Sequence, residues 1–297
     1  MFSHQTILLT CFLSLTMSDI WISILLGIVE GVTEFLPISS TGHLILVEEW
    51  LGGKGVFANQ TFSDAYKVII QLGAILSVLV YFWPRLYPWS KNKTVAQRQE
   101  TFALWLKAIV GVLPALLIGF VADDYIEAHL FNPVTVAIAL VVWGIVLIVL
   151  ESRPQRPKFN DVAALSIQTV LLIGLIQCLA MIPGTSRSAA TIIGAMLLGA
   201  SRVLAAEFSF FLAIPTMAAA SGYSFLKLLK NGMSFGGHEM LVLGIGFVVS
   251  FLVAWAVIAF LMRFITRHDF RAFGYYRIVL GVIVLLYFWS TGALGGS

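Results

Sequence analysis

LLGIVEGVTEFLPISSTG, residues 25–42, begins as an apolar helix and does not continue as one. A run of Leu, Ile and Val is cut by Glu30, Glu34, Pro37, Ser39, Ser40 and Thr41, with His43 just beyond. A second stretch, LIGLIQCLAMIPGTSRSA at 172–189, follows the same plan and ends in Pro183, Gly184, Thr185, Ser186, Arg187 and Ser188. Laid over each other, Gly27 faces Gly174 and Glu30 faces Gln177, and skipping one residue brings Pro37 over Pro183. Proline removes a backbone donor and breaks a helix. The hydroxyl residues that follow it are those that cap a new helix start. Each stretch therefore reads as a helix, a break and a second short helix.

Outward from these breaks, apolar segments fall near 20–36, 38–51, 66–83, 102–122, 132–150, 163–182, 188–199, 203–226, 239–262 and 274–291. Six of them can cross a hydrocarbon core of roughly 30 Å, whereas limbs of the broken pairs cover about 18 to 26 Å. The expected fold is an all-α polytopic membrane protein. It has six transmembrane helices plus two re-entrant helix hairpins, in an inverted-topology repeat over roughly 20–122 and 163–262. Transporter folds hold their binding sites where such broken tips meet near the midplane.

Composition agrees. Of 297 residues, 59% are hydrophobic and 11% charged, against about a quarter charged in a soluble chain. The connections 84–101, 151–162 and 263–271 carry Arg85, Lys91, Lys93, Arg98, Arg153, Arg156, Lys158, Arg263, Arg267 and Arg271. Those at 52–61, 123–131 and 227–238 carry only Lys54, Lys227 and Lys230, and Asp123, Asp124 and Glu127 make the middle one acidic. Placing the basic set inside orients all six spans consistently; the first hairpin then enters from outside and the second from the cytoplasm. No basic tract points to nucleic acid. Cys11 and Cys178 make no zinc pattern. Residues 1–16 have an apolar run without the basic start of a signal peptide. They read as a dispensable leader or a mis-assigned start ahead of Met17, with 17–297 a single integral-membrane domain.

Two constellations carry chemistry. Glu30 and Glu34 stand four apart, so their carboxylates leave one helical face about 6 Å apart. Each ionised group at mid-membrane costs roughly 3 kcal/mol. Such a pair suits a hard divalent cation, or a shared proton for acid–base work. The second is PGTSRSAAT, 183–191, a turn rich in hydroxyl and backbone N–H donors running into a helix, which is an anion-binding arrangement. Gly184, Ser186, Arg187, Ser188 and Thr191 are its candidate phosphate ligands, with the Arg187 fork suited to two oxygens at once. The alternative for Arg187 is an ion pair with Glu30 or Glu34. Ser40 and His43 lie on the other break, Ser40 as the first candidate nucleophile and His43 as the second, with direct attack by water as a third route. Glu207, Gln71 and Arg277, polar groups on apolar segments, read as helix–helix contacts.

EGVTEFLPISSTGH and PGTSRSAAT resemble the two signature regions of the bacterial undecaprenyl-diphosphatase family, the membrane proteins linked to bacitracin resistance. Their patterns read (E/Q)-x-x-x-E and P-G-x-S-R-S-x-x-T. VIIQLGAIL (68–76) and EFSFFLAIP (207–215) extend the likeness, which runs from Met17 nearly to the C-terminus. The resemblance implies hydrolysis of undecaprenyl diphosphate to the monophosphate, recycling the lipid carrier of cell-wall synthesis. It implies a Mg²⁺ or Ca²⁺ cofactor at Glu30 and Glu34, and functional roles for Glu30, Glu34, Ser40, His43, Ser186, Arg187 and Thr191. It also implies a bacterial inner-membrane location and a pocket opening toward the periplasm. The expected partners are the lipid substrate and membrane lipids, with a homodimer left open. A lipid-phosphate or ion transporter using the same pocket is the rival reading.

Overall fold

The computed structural model describes residues 4–51, 57, 60–154, 156–230 and 235–290. Lys54 lies outside them, as do the side chains of residues 4–17 and of Asp123, Asp124, Glu127 and Lys227. The helices are α1 (His4–Thr33), α2 (Ser40–Trp50), α3 (Gln60–Tyr81), α4 (Trp83–Leu86), α5 (Val95–Leu130), α6 (Pro133–Glu151), α7 (Ile167–Gln177), α8 (Arg187–Leu197), α9 (Arg202–Lys230), α10 (Gly237–Phe264) and α11 (Arg271–Ser290). Six are long and apolar enough to cross a membrane: α3, α5, α6, α9, α10 and α11. The helix α1 runs through Met17 without interruption. Nothing between His4 and Leu26 is a proline or glycine that would stop it.

The neighbours fall into matched sets. α1 lies along α10 and α7 along α5; α3 packs on α10 and α9 on α5; α3 meets α9, and α6 meets α11. Exchanging α1 with α7, α3 with α9, α5 with α10 and α6 with α11 maps this pattern onto itself. In lipid, helices associate by close packing of small residues. Gly27 accordingly rides on the Gly246 carbonyl of α10, and Gly174 on the Gly111 carbonyl of α5. Any side chain at Gly174 would collide with that carbonyl.

The two broken segments also share the position of their caps. The separation that relates Gly27 to Gly174 and Glu30 to Gln177 also relates Ser39 to Ser186, with no residue skipped. Ser39 and Ser186 are the caps of α2 and α8, so the offset that pairs the glycines also pairs the cap serines, whereas Pro37 and Pro183 need one residue skipped. A cap fixes where the second helix starts, whereas a proline only has to fall somewhere in the break.

The largest buried cluster surrounds these breaks. It joins Phe35, Leu36 and Ile38 to Ile192 and Ile193 of α8 and to Phe208, Phe210 and Phe211 of α9. Phe35 meets Phe210 edge-on at 5.4 Å. Away from it, Arg202 grips buried Glu151 through two bonds of 2.9 Å from Nε and one of 2.5 Å from Nη2, and the Phe270 N–H adds a third donor at 3.1 Å. Glu207 is held by Arg85, so that residue joins α9 to the connection after α3.

Candidate functional site

Both breaks end in the same unusual conformation. Ser39 has φ 73° and Ser186 φ 74°, the two non-glycine residues with positive φ among those described. An L-residue pays roughly 1–2 kcal/mol to stand there. Each serine recovers part of that by capping: the Ser39 hydroxyl accepts from Gly42 N–H at 3.4 Å, and Ser186 from Ala189 N–H at 3.3 Å. The turn before Ser186 depends on Gly184, whose φ is +91° and whose missing Cβ would strike the Val136 backbone of α6.

Three side chains lock the breaks to each other. Ser188 donates to the Leu36 carbonyl at 2.9 Å. Arg277 of α11, with no solvent exposure, donates to Pro37 O at 3.0 Å and to Gly184 O and Thr185 O at 2.8 Å each. Its guanidinium spans both breaks from beneath, a different use from the helix–helix contact expected of it. The third lock is ionic. Arg187 at the start of α8 donates to Glu34 Oε1 at 2.9 Å, and Ser40 at the start of α2 donates to Glu34 Oε2 at 2.8 Å.

Ser40, Glu34 and Arg187 thus form a continuous chain: a hydroxyl, a carboxylate and a guanidinium, drawn from both halves. Arg187 also donates to Ser209 O at 3.2 Å, and its Cζ lies 5.6 Å from the centre of the Phe35 ring. Its Nε is buried without a hydrogen-bond partner, so donor capacity remains. Ser40, Ser186 and Arg187 keep partial exposure, whereas Glu34 is 9% exposed.

The other sequence-chosen residues stand apart from this chain. Glu30 is wholly buried, and neither carboxylate oxygen has a partner. An unpaired charge is costly there, so an ionised Glu30 requires a cation or a proton to share. Among the described residues there is no cluster of three or more His, Cys, Asp or Glu able to hold a metal unaided. The donor set nevertheless fits Mg²⁺, which commonly takes one or two carboxylates and completes its shell with water and phosphate oxygens.

Thr191 bonds back to Arg187 O and Ser188 O at 2.9 and 3.2 Å and meets the Ser209 hydroxyl at 2.5 Å, joining α8 to α9. Gly184 contributes its turn and its carbonyl. His43 faces α11: Nδ1 donates to Ser39 O at 2.7 Å, and Nε2 lies 2.6 Å from the Tyr276 hydroxyl. Sequence reasoning missed Tyr276, Ser209 and the clamp made by Arg277. Only Arg277 left a signal, as an arginine on an apolar helix without a carboxylate at helical spacing.

Comparisons with known proteins converge. The family described as "Bacitracin resistance protein BacA" matches residues 23–283. The chain is 54% identical over 270 residues to Undecaprenyl-diphosphatase 1 of Clostridioides difficile, covering 91% of this chain and 96% of that one. It is 49% identical over 274 residues to the Undecaprenyl-diphosphatase of Limosilactobacillus fermentum, with 92% and 98% covered. The Undecaprenyl-diphosphatase of Fusobacterium nucleatum subsp. nucleatum is 52% identical over 268 residues, with 89% and 98% covered.

Proposed function

The chain belongs to the BacA family of bacitracin resistance proteins, and we propose that its two broken helices form the active site of its reaction. It is a multi-pass membrane hydrolase, an undecaprenyl-diphosphatase that converts undecaprenyl diphosphate to undecaprenyl phosphate and inorganic phosphate. The observation that carries the site is the Ser40–Glu34–Arg187 chain, because it joins a nucleophile to a base and the base to a phosphate-binding cation.

In this reading Ser40 Oγ attacks the terminal phosphorus as its proton passes to Glu34. The bond to the bridging oxygen breaks, and undecaprenyl phosphate leaves. Water then attacks the phosphoserine; Glu34 returns the proton it holds to the departing Ser40 Oγ and accepts one from the attacking water, and phosphate is released. Arg187 holds the phosphoryl oxygens with donors it does not spend on Glu34, and the N-terminus of α8 adds backbone dipoles where charge develops. Buried hydrocarbon around Phe35 and Phe210 excludes bulk water, which strengthens each of these interactions. Glu30 and Glu34 would hold a divalent cation, Mg²⁺ or Ca²⁺, which supplies charge neutralisation for the diphosphate when bound. Ser186 is a further phosphate donor, while Ser188 and Thr191 serve by fixing the turn.

The topology belongs to the same proposal. α1–α2 and α7–α8 are re-entrant hairpins of an inverted repeat, a reading supported by the shared cap register and the matched helix neighbours. The basic connections face the cytoplasm of a bacterial inner membrane, and the pocket opens toward the periplasm.

The test is chemical trapping during turnover. Wild-type protein quenched in acid should yield a phosphoserine at Ser40, and Ser40→Ala should bind substrate yet release no phosphate. An acid-labile phosphohistidine would transfer the nucleophile to His43. Solvent oxygen entering phosphate with no adduct would transfer it to water.

A further inference from the structure

We propose that Tyr276 is a positioning residue of the active site, acting through His43; this rests on the reading of the site above. The observation is the pairing of two rings from distant parts of the chain. The Tyr276 hydroxyl lies 2.6 Å from His43 Nε2, and the two rings are stacked at 4° with centroids 5.6 Å apart.

The hydrogen-bond partners determine the tautomer. A backbone carbonyl only accepts, so the 2.7 Å contact to Ser39 O requires a proton on Nδ1. In the neutral ring Nε2 is then the acceptor, and the Tyr276 O–H donates to it. Both nitrogens are occupied and the stack restricts ring rotation, so His43 holds one tautomer in one orientation. A histidine with a fixed second nitrogen is the arrangement that acid–base work needs.

The Ser39 bond carries this order to the reacting groups. Ser39 is the strained cap directly before Ser40, and its carbonyl receives the Nδ1 proton. The pairing therefore anchors the backbone from which the Ser40 hydroxyl projects. It also couples two protonation events. When Nε2 gains a proton it becomes the donor to the Tyr276 oxygen, and the phenol proton turns outward as a free donor. Tyr276 is 45% exposed, so that donor has room to reach a phosphate oxygen. No covalent bond changes; one proton is bound and one hydroxyl reorients.

The charged groups around His43 are few. α1 carries Glu30 and Glu34 on the elements packed against α2, α8 carries Arg187, and α11 carries Arg277 beside Tyr276. The Glu151 of α6 is committed to Arg202. Farther along α2 itself Glu48 is paired with Lys67 of α3 and Glu49 follows it, while Ile45 and Leu46 pack with Leu140 and Leu280.

The experiment uses full-length protein in neutral detergent with undecaprenyl diphosphate and follows phosphate release against pH. Tyr276→Phe keeps the stacked ring and deletes only the hydroxyl. It should lower kcat about tenfold with KM held within about twofold, the loss of one good hydrogen bond in the transition state. It should also displace the acid limb of the pH profile. Nitrogen-15 spectra of histidine-labelled protein should show the His43 Nε2 signal move from its hydrogen-bonded position, with His43→Gln identifying that signal. A purely packing role predicts wild-type behaviour for Tyr276→Phe and damage only in Tyr276→Leu. Wild-type kcat, pH profile and Nε2 signal in Tyr276→Phe, with His43→Ala inactive, overturn this proposal alone. Full turnover in His43→Ala overturns this proposal and leaves the Ser40–Glu34–Arg187 reading standing, whereas phosphate release by Ser40→Ala overturns that reading.

Discussion

Replacing Arg277 with Met tests whether one buried guanidinium holds the two breaks in register. Met is of similar length, so the void is small, but three backbone carbonyls lose their donor: Pro37, Gly184 and Thr185. Each bond from a charged donor is worth about 1.5–3 kcal/mol. The desolvation that burying a guanidinium demands takes back several of these, leaving a net loss of about 3–5 kcal/mol when one partner is removed. For a chain of this length that is a fall of about 6–20 °C in melting temperature. The effect should exceed stability, because Pro37 and Gly184 fix the caps on which Ser40 and Arg187 stand. Phosphate release should fall at least tenfold, equivalent to about 1.4 kcal/mol. Arg277→Lys should recover only part of both losses: an ammonium is a point donor and cannot address carbonyls on two sides as the two Nη atoms do. Thermal unfolding in detergent, followed by loss of helical circular dichroism, gives the first number, and a phosphate assay gives the second. A melting temperature within about 2 °C of wild type with intact turnover would refute the clamp.

Arg187→Lys keeps the charge but loses the fork that serves Glu34 and a phosphate together, so turnover should fall at least tenfold, about 1.4 kcal/mol of transition-state stabilisation. Near-normal phosphate release by that variant would remove Arg187 from the reaction. Glu30→Gln and Glu34→Gln should not combine multiplicatively, because groups that act as a unit lose most of their effect at the first deletion. Titration with Mg²⁺ and Ca²⁺ checks this: each single variant should show weakened metal dependence, and the double variant should match the worse single one. Multiplicative losses with unchanged metal dependence would contradict a shared cation.

The large-scale architecture was legible because it rests on run lengths and on proline and serine positions, which sequence displays directly. The six membrane-crossing helices and both broken segments were read that way. The partnership of Glu34 and Arg187 was also within reach, as the alternative use of that arginine. Arg277 was not, because its partners are carbonyls, and every residue in the chain has one. Thr191 was visible as a motif member, but its direction depends on the phase of α8, which the left-handed turn at Ser186 sets. His43 shows the same limit: the histidine was found, but Tyr276 comes from the opposite end of the chain. The prolines marked both breaks in the sequence, whereas the shared capping geometry at Ser39 and Ser186 became visible only in the structure.

The left-handed serines explain how one scaffold yields two opposite chemistries. Directly after each cap the chain turns in the same way into its short helix, so Ser40 and Arg187 occupy equivalent slots in the two breaks. In one slot stands a hydroxyl, the proposed nucleophile, and in the other a guanidinium, the proposed phosphate grip. Glu34, the carboxylate that touches both, has Met181 as its counterpart by the same register. Under the proposed mechanism neither broken segment is a working set: one would supply the nucleophile and base without an anion grip, and the other the grip without anything to react. Equivalence of backbone combined with divergence of side chain makes the centre complementary to itself, so that it exists only where the halves meet.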